Sequence, residues 1–269
     1  MSYGKAIGVT LLCGSLVTAT PDDAVIQTKV ASTVLAEERP VIVHLPASYT
    51  QRKDRRYPVV YVLDGTSQDG HTAETAARLA RGGVMPEVII VGVPNTRGNR
   101  PRDQTPPFIR LDVEKLDSPR GSADRFLAFL KTELIPYVDR DYRTTSFRVL
   151  AGNSRGGLLV VYSLLVDPDL FNARFAFSAP LWREDAVLVS KLQELLVSRP
   201  NMKSFLYLSV GDRENANIVG AFERTVAVLG RHAPRAFAWR ADRTPEADHQ
   251  NNAQLSTPEA FKALAGFCC

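Results

Sequence analysis

The sequence has little cysteine, no long block of one charge, and no apolar run long enough for repeated membrane crossing. Three cysteines occur in 269 residues, at Cys13, Cys268 and Cys269, and none are spaced as Cys-x-x-Cys. That excludes a zinc ribbon or a thioredoxin-type centre. No His-Glu-x-x-His or clustered ligand set appears, so no metal is expected. Gly-x-x-x-x-Gly-Lys is missing as well, and neither a phosphate loop nor any other cofactor site is indicated. The charge excess is 33 − 29 = +4, with a pI near 9.0. Without a Lys/Arg block to track phosphates, nucleic acid is not an expected partner. Internal repeats, low-complexity segments and long linkers are absent. What remains is an ordinary globular composition, 45% hydrophobic and 23% charged, which rules out a disordered chain.

The first residues carry a different signal. Met1 to Ala19 holds one positive charge, Lys5, then an apolar stretch from Ala6 that ends in Val17-Thr18-Ala19. Too short to span a bilayer comfortably, it has the pattern of an export leader cleaved after Ala19. Residues 1–19 are therefore read as a signal peptide, with a periplasmic or secreted product, and residues 20–269 as one catalytic domain. Cleavage would remove Lys5 and Cys13, leaving a charge of about 4 − 1 = +3. The remaining Cys268 and Cys269 are adjacent, so a bond between them would be a strained link rather than a staple.

Past the leader, strand and helix signals alternate. Two extended segments, Val25 to Leu35 and Val41 to Leu45, flank a turn expected at Glu37 to Pro40. Apolar strands are expected at Tyr57 to Leu63, Glu87 to Val93, Phe147 to Ala151, Ala173 to Ser178, Phe205 to Val210 and Ala236 to Trp239. Helices are expected between them, and a last one over Pro258 to Ala265. Repeated strand–helix units imply a mostly parallel central sheet with helices on both faces. The longest irregular stretch, Pro94 to Gly121, is long enough to be functional or mobile.

Chemistry concentrates around Gly152-Asn153-Ser154-Arg155-Gly156-Gly157. This is Gly-x-Ser-x-Gly between a β-branched strand and an apolar helix, the context in which the serine hydroxyl is lifted above a sheet edge. A serine nucleophile needs a base. Of His44, His71, His232 and His249, only the last two follow it in the order that this elbow requires. His232 ends a helix, where a cation suits the carbonyl terminus. His249 lies in a polar loop after the last strand and is the expected base. The acid should follow the strand Phe205 to Val210, where Asp212 and Glu214 are both candidates. One oxyanion donor is the Arg155 N–H, and the other belongs to the Leu63-Asp64-Gly65-Thr66 loop.

These residues resemble the putative-esterase family of α/β-hydrolases, which includes siderophore esterases such as those for enterochelin and bacillibactin, S-formylglutathione hydrolases and mycolyltransferases. The resemblance rests on Tyr57 to Gly65, Asn95-Thr96-Arg97 with Arg102-Asp103, the Ser154 elbow, Ser178-Ala179-Pro180-Leu181-Trp182, Val210 to Glu214 and Asp248-His249. It implies the α/β-hydrolase fold, Thr66 as the second oxyanion donor, Glu214 rather than Asp212 as acid, and a small-molecule ester as substrate, of siderophore or aromatic type. Gln104 departs from the family pattern, where an aromatic residue is expected. Arg97, Arg102 and Trp182 are the expected substrate contacts. The expected activity is carboxylic-ester hydrolysis through an acyl-enzyme; an acyltransferase on the same residues and an inert binding module are the alternatives.

Overall fold

The structure is a computed structural model that describes residues 24–96 and 98–268. The expected leader, Cys13, Arg97 and Cys269 lie outside the described residues. The strands are β1 (Val25–Ser32), β2 (Glu37–His44), β3 (Tyr57–Gly65), β4 (Ile89–Pro94), β5 (Thr144–Asn153), β6 (Ala173–Phe177), β7 (Ser204–Gly211) and β8 (Phe237–Thr244). The helices are α1 (Asp69–Arg81), α2 (Arg100–Gln104), α3 (Ala123–Phe129), α4 (Ile135–Asp141), α5 (Arg155–Val166), α6 (Arg183–Ser198), α7 (Ala216–His232) and α8 (Asn252–Cys268). A π-type turn over Leu130–Leu134 joins α3 to α4.

The eight strands form one sheet in the order β1-β2-β4-β3-β5-β6-β7-β8. β1 pairs antiparallel with β2, and β2 antiparallel with β4. All other neighbours are parallel. Alternation along β3 shows why the apolar runs were needed. Tyr57, Val59, Tyr61 and Leu63 enter one core, while Val60 and Val62 enter the other. A strand covered on both faces has no polar face to offer. α1 and α8 cover the second core; α3 to α7 cover the first.

Packing on the α8 side bears directly on the site. Phe261 of α8 meets Phe175 of β6 edge to face at 5.5 Å, and Phe175 meets Tyr207 of β7 the same way at 6.1 Å. Such pairs add roughly 0.5–1.5 kcal/mol each beyond their buried area. They hold α8, and so the loop that enters it, against the sheet.

Three elements differ most from expectation. The hairpin turn falls at 33–36, with Ala36 at φ 56°, and not at Glu37 to Pro40. Thr33 to Ala36 contains no Gly, Asn or Asp to announce it. Pro40 is tolerated inside β2 because β4 pairs only with Ile42 to His44, leaving the proline outside that ladder. β8 runs on to Thr244, carried by parallel pairing to β7 rather than by its own polar sequence. α8 begins at Asn252 and continues through Pro258.

The Pro94 to Gly121 stretch is also more ordered than expected. It contains α2, and Ser122 N–H donates to Arg102 O at 2.7 Å, Ala123 N–H to Thr105 O at 3.1 Å. A Cβ on Gly121 would lie 1.7 Å from Thr105 O, so the close approach requires glycine. Among the described residues no helix is long and apolar enough to cross a membrane.

Candidate active site

Parallel strands β3, β5, β6, β7 and β8 all end at one edge, where ligands bind in open α/β sheets. Ser154 sits there, between β5 and α5, at φ 55° and ψ −120°. A non-glycine residue in such a conformation costs on the order of 1–3 kcal/mol. The surroundings impose it: the Ser154 N–H donates to Phe177 O at 2.9 Å, and Leu158 N–H donates back to Ser154 O at 3.0 Å. A Cβ on Gly152 would come within 2.5 Å of the Gly156 carbonyl carbon. The elbow closes only with glycine at that position.

The loop after β8 brings His249 to this serine. His249 Nε2 is 2.9 Å from Ser154 Oγ, and its Nδ1 is 2.7 Å from Glu214 Oε2. Glu214 arrives from the loop after β7, with its side chain fully buried. The two loops touch closely, since a Cβ on Gly211 would meet Ala247 O at 2.3 Å. Burial pulls the Glu214 pKa upward, but the hydrogen bonds from His249 and Ser178 outweigh it and hold the carboxyl below its usual range. Asp212 is exposed, and no hydrogen bond joins it to the histidine, whose carboxylate partner is Glu214. Asp248 turns its carboxylate to the Gln250 and Asn251 N–H groups. His232 closes α7, and no hydrogen bond joins it to Ser154.

Arg155 is the expected nucleophile-side oxyanion donor. Arg155 N–H opens α5, and no acceptor for it is found among the described residues. The Thr66 N–H is not free. Asp69 Oδ1 accepts it at 2.7 Å, as a carboxylate early in a helix reaches back to an upstream amide. Asp69 is itself paired to His44 Nε2 at 2.8 Å. Thr66 lies at φ 83° on an exposed loop.

Beneath that loop, Asp64 is a polar hub. Its carboxylate accepts from Arg100 Nε and Nη2, both at 2.7 Å, and from Gln104 Nε2 at 2.8 Å. Burial raises its pKa, but Arg100, with the hydrogen bonds from Asn95 and Gln104, more than reverses this and the net shift is downward. The amide at position 104, where the family pattern has an aromatic residue, therefore has a partner in this protein's own framework. Arg100 also reaches Asn153 O at 3.3 Å, beside Ser154.

The expected substrate residues divide. Arg97 lies outside the described residues. Arg102 donates to Asp103 at 2.7 Å and Glu37 at 3.1 Å, in a network with the fully buried Arg39. That network ties the loop to β2. Trp182 is half-buried at the head of α6. Two arginines stand out instead: Arg155, which flanks Ser154 in the sequence, and Arg183, which sequence reasoning did not single out. Arg155 donates to Thr105 Oγ1 at 2.9 Å and Leu111 O at 2.8 Å; Arg183 donates to Leu111 O at 3.0 Å. Neither has a carboxylate in ion-pair range among the described residues. Burial, then the charges of Arg183 and Arg100, lower the Arg155 pKa to about 10.

Ser178, which touches Glu214, and Asn252, which touches Ser178, had no sequence signal pointing to them as a pair: they lie 74 residues apart.

Comparison with known proteins agrees with this geometry. The family model described as putative esterase matches residues 32–258. The ferri-bacillibactin esterase BesA of Bacillus subtilis is 30% identical over 203 residues, covering 67% of this chain and 70% of that protein. An IroE-like serine hydrolase from Shewanella oneidensis superposes with a TM-score of 0.82 at 28% identity, over 90% of this chain and 80% of that one. The siderophore hydrolase EstA of Aspergillus nidulans, at 18% identity, shares the fold with a TM-score of 0.79 over 97% and 100% of the two chains. The chain belongs to the putative esterase family, as an α/β-hydrolase whose activity is the hydrolysis of carboxylic esters.

Proposed function

We propose that Ser154 is the nucleophile, His249 the general base and Glu214 the acid that orients it, acting on esters of siderophore type. The continuous Ser154–His249–Glu214 chain, with contacts of 2.9 and 2.7 Å, carries the reading. Ser154 Oγ attacks the ester carbonyl while His249 Nε2 takes its proton. Arg155 N–H meets the developing oxyanion. Thr66 N–H is the second donor once it leaves Asp69 Oδ1, which accepts it at 2.7 Å in the free enzyme. The tetrahedral intermediate collapses, the alcohol leaves with the proton from His249, and water hydrolyses the acyl-enzyme by the same steps. Among the relatives named above, each acts as an esterase or hydrolase, which supports hydrolysis over acyl transfer or inert binding. Export is part of the same reading, supported by the leader at residues 1–19.

Only one carboxylate can hold the imidazole. Glu214→Gln is expected to lower kcat by roughly 10^4-fold, on the scale seen when a triad acid is removed. Asp212→Asn, on an exposed side chain, is expected to stay within about twofold. Steady-state assay of both variants on an aryl acetate checks this, and equal effects would reassign the acid.

The siderophore-type substrate is supported by the relatives and by charge. Arg155 and Arg183, without carboxylate partners among the described residues, leave positive potential around the nucleophile elbow, whereas the charge of Arg100 is met by Asp64. Guanidinium groups suit anionic and catecholate oxygens and stack on rings; Trp182 offers a flat partner for an aromatic acid. An acidic aromatic ester should beat its neutral analogue at low salt, with the advantage shrinking as salt rises. Arg155→Gln should cut kcat/KM for the acidic ester about tenfold more than for an aryl acetate, on the scale of one desolvated charge-assisted contact. Equal losses on both substrates would mean that Arg155 only braces Thr105 and Leu111.

A further inference from the structure

Glu214 has two carboxylate oxygens, and the histidine uses one. The other, Oε1, accepts a short hydrogen bond from Ser178 Oγ and a long one, 3.5 Å, from Gly211 N–H. Ser178 follows β6 at φ 49°, fully buried, a conformation secured by its N–H donating to Ser209 O at 2.9 Å. Its hydroxyl is in turn approached by Asn252 Nδ2 at 2.8 Å. That amide nitrogen is only a donor, so Ser178 must accept there and direct its own proton to Glu214. The same nitrogen donates to Ser209 Oγ at 3.0 Å. Ser209 reaches Ser256 Oγ at 2.9 Å, and Ser256 donates to Asn252 O at 2.7 Å. Every hydroxyl in the set thus has one consistent direction. None is more than 2% exposed.

Asn252 also belongs to the histidine's loop. Its N–H donates to Asp248 O at 3.0 Å, closing the turn that carries His249. One residue therefore braces the base through its backbone and the acid through its side chain. We infer that Ser178 and Asn252 are positioning residues for the acid, holding Glu214 in the rotamer that serves His249; this rests on the proposed triad. A buried carboxylate oxygen left without its donor carries a desolvation cost, and the lost bond would be met by rotation away from the histidine or by tighter proton retention.

The groups facing Glu214 are few. His249 comes from the loop after β8, Ser178 from the end of β6, and Gly211 N–H from its own loop. Asp212 and Arg213 beside it are exposed, and Asp248 is turned to backbone amides. A change in the acid limb of the rate profile after mutation at Ser178 would therefore report the Glu214–His249 pair. The sign follows: removing a donor to the carboxylate raises its proton affinity and strengthens its hold on the imidazolium. Protons then stay on the pair to higher pH.

The test measures kcat, KM and the pH dependence of kcat/KM for Ser178→Ala, Asn252→Ala, Glu214→Gln and the Ser178→Ala/Glu214→Gln double variant on an aryl acetate. Ser178→Ala should lower kcat roughly 10- to 100-fold with KM within about twofold, and move the acid limb up by about half a pH unit or more. Asn252→Ala should shift both in the same direction by less. On the Glu214→Gln background, Ser178→Ala should cost almost nothing further. An unmoved acid limb in Ser178→Ala, or the same loss with and without Glu214, would overturn the inference while leaving the triad intact. A fully active Glu214→Gln would overturn the triad reading, and this inference with it.

Discussion

Ser154→Ala is expected to lower ester turnover by roughly 10^4- to 10^6-fold while leaving the fold intact, the range reached when a triad nucleophile is removed. The residual rate would come from binding and the oxyanion donors. The fold should survive because, among the described residues, the hydroxyl hydrogen-bonds to His249 alone, while the backbone bonds to Phe177 and from Leu158 do not need it. Alanine bears the same φ of 55° that serine does. A melting temperature close to the parent, together with lost labelling by a fluorophosphonate probe, would establish both halves. Turnover comparable to the parent would refute the nucleophile.

His249→Ala is expected to be nearly as damaging, because the imidazole is the contact between Ser154 and Glu214. Kinetic losses of serine and histidine variants in such triads are of similar size and do not add. Unlike Ser154→Ala, it should also destabilise. Glu214 stays buried while losing a charged hydrogen bond, worth about 1.5–3 kcal/mol. At about 2–4 °C per kcal/mol for a chain of this size, the melting temperature should fall by several degrees. His232→Ala should leave activity within about twofold. A larger loss there than at His249 would reassign the base.

Much of this site was legible beforehand, and for local reasons. An elbow serine needs glycine at 152 because a Cβ would strike the Gly156 backbone 2.5 Å away, so the requirement is written within five residues. His249 was distinguishable from His232 by its place after the last strand. The hairpin turn at 33–36 was not legible, because its positive φ falls on Ala36, which carries no turn signature. Nor was the length of β8, whose polar end is held by β7.

The arginines mark the same boundary. Sequence order placed Arg97, Arg100 and Arg102 in one long loop, but it could not say which were already paired. Only packing decides that Arg102 meets Asp103 and Glu37, that Arg100 grips Asp64, and that Arg155 and Arg183 converge on Leu111 O without a carboxylate. By itself, the sequence determined the alternation of apolar strands and helices, hence the parallel sheet, and it marked Ser154 and His249 while leaving Asp212 and Glu214 both open as the acid, because each of these readings depends on residues close together in the chain. The choice of Glu214 by contact, the engagement of Thr66 N–H by Asp69 and the Ser178–Asn252 brace were decided by tertiary structure. Those contacts join residues brought side by side by different strand ends, and hydrogen bonding acts only over the roughly 3 Å that folding creates.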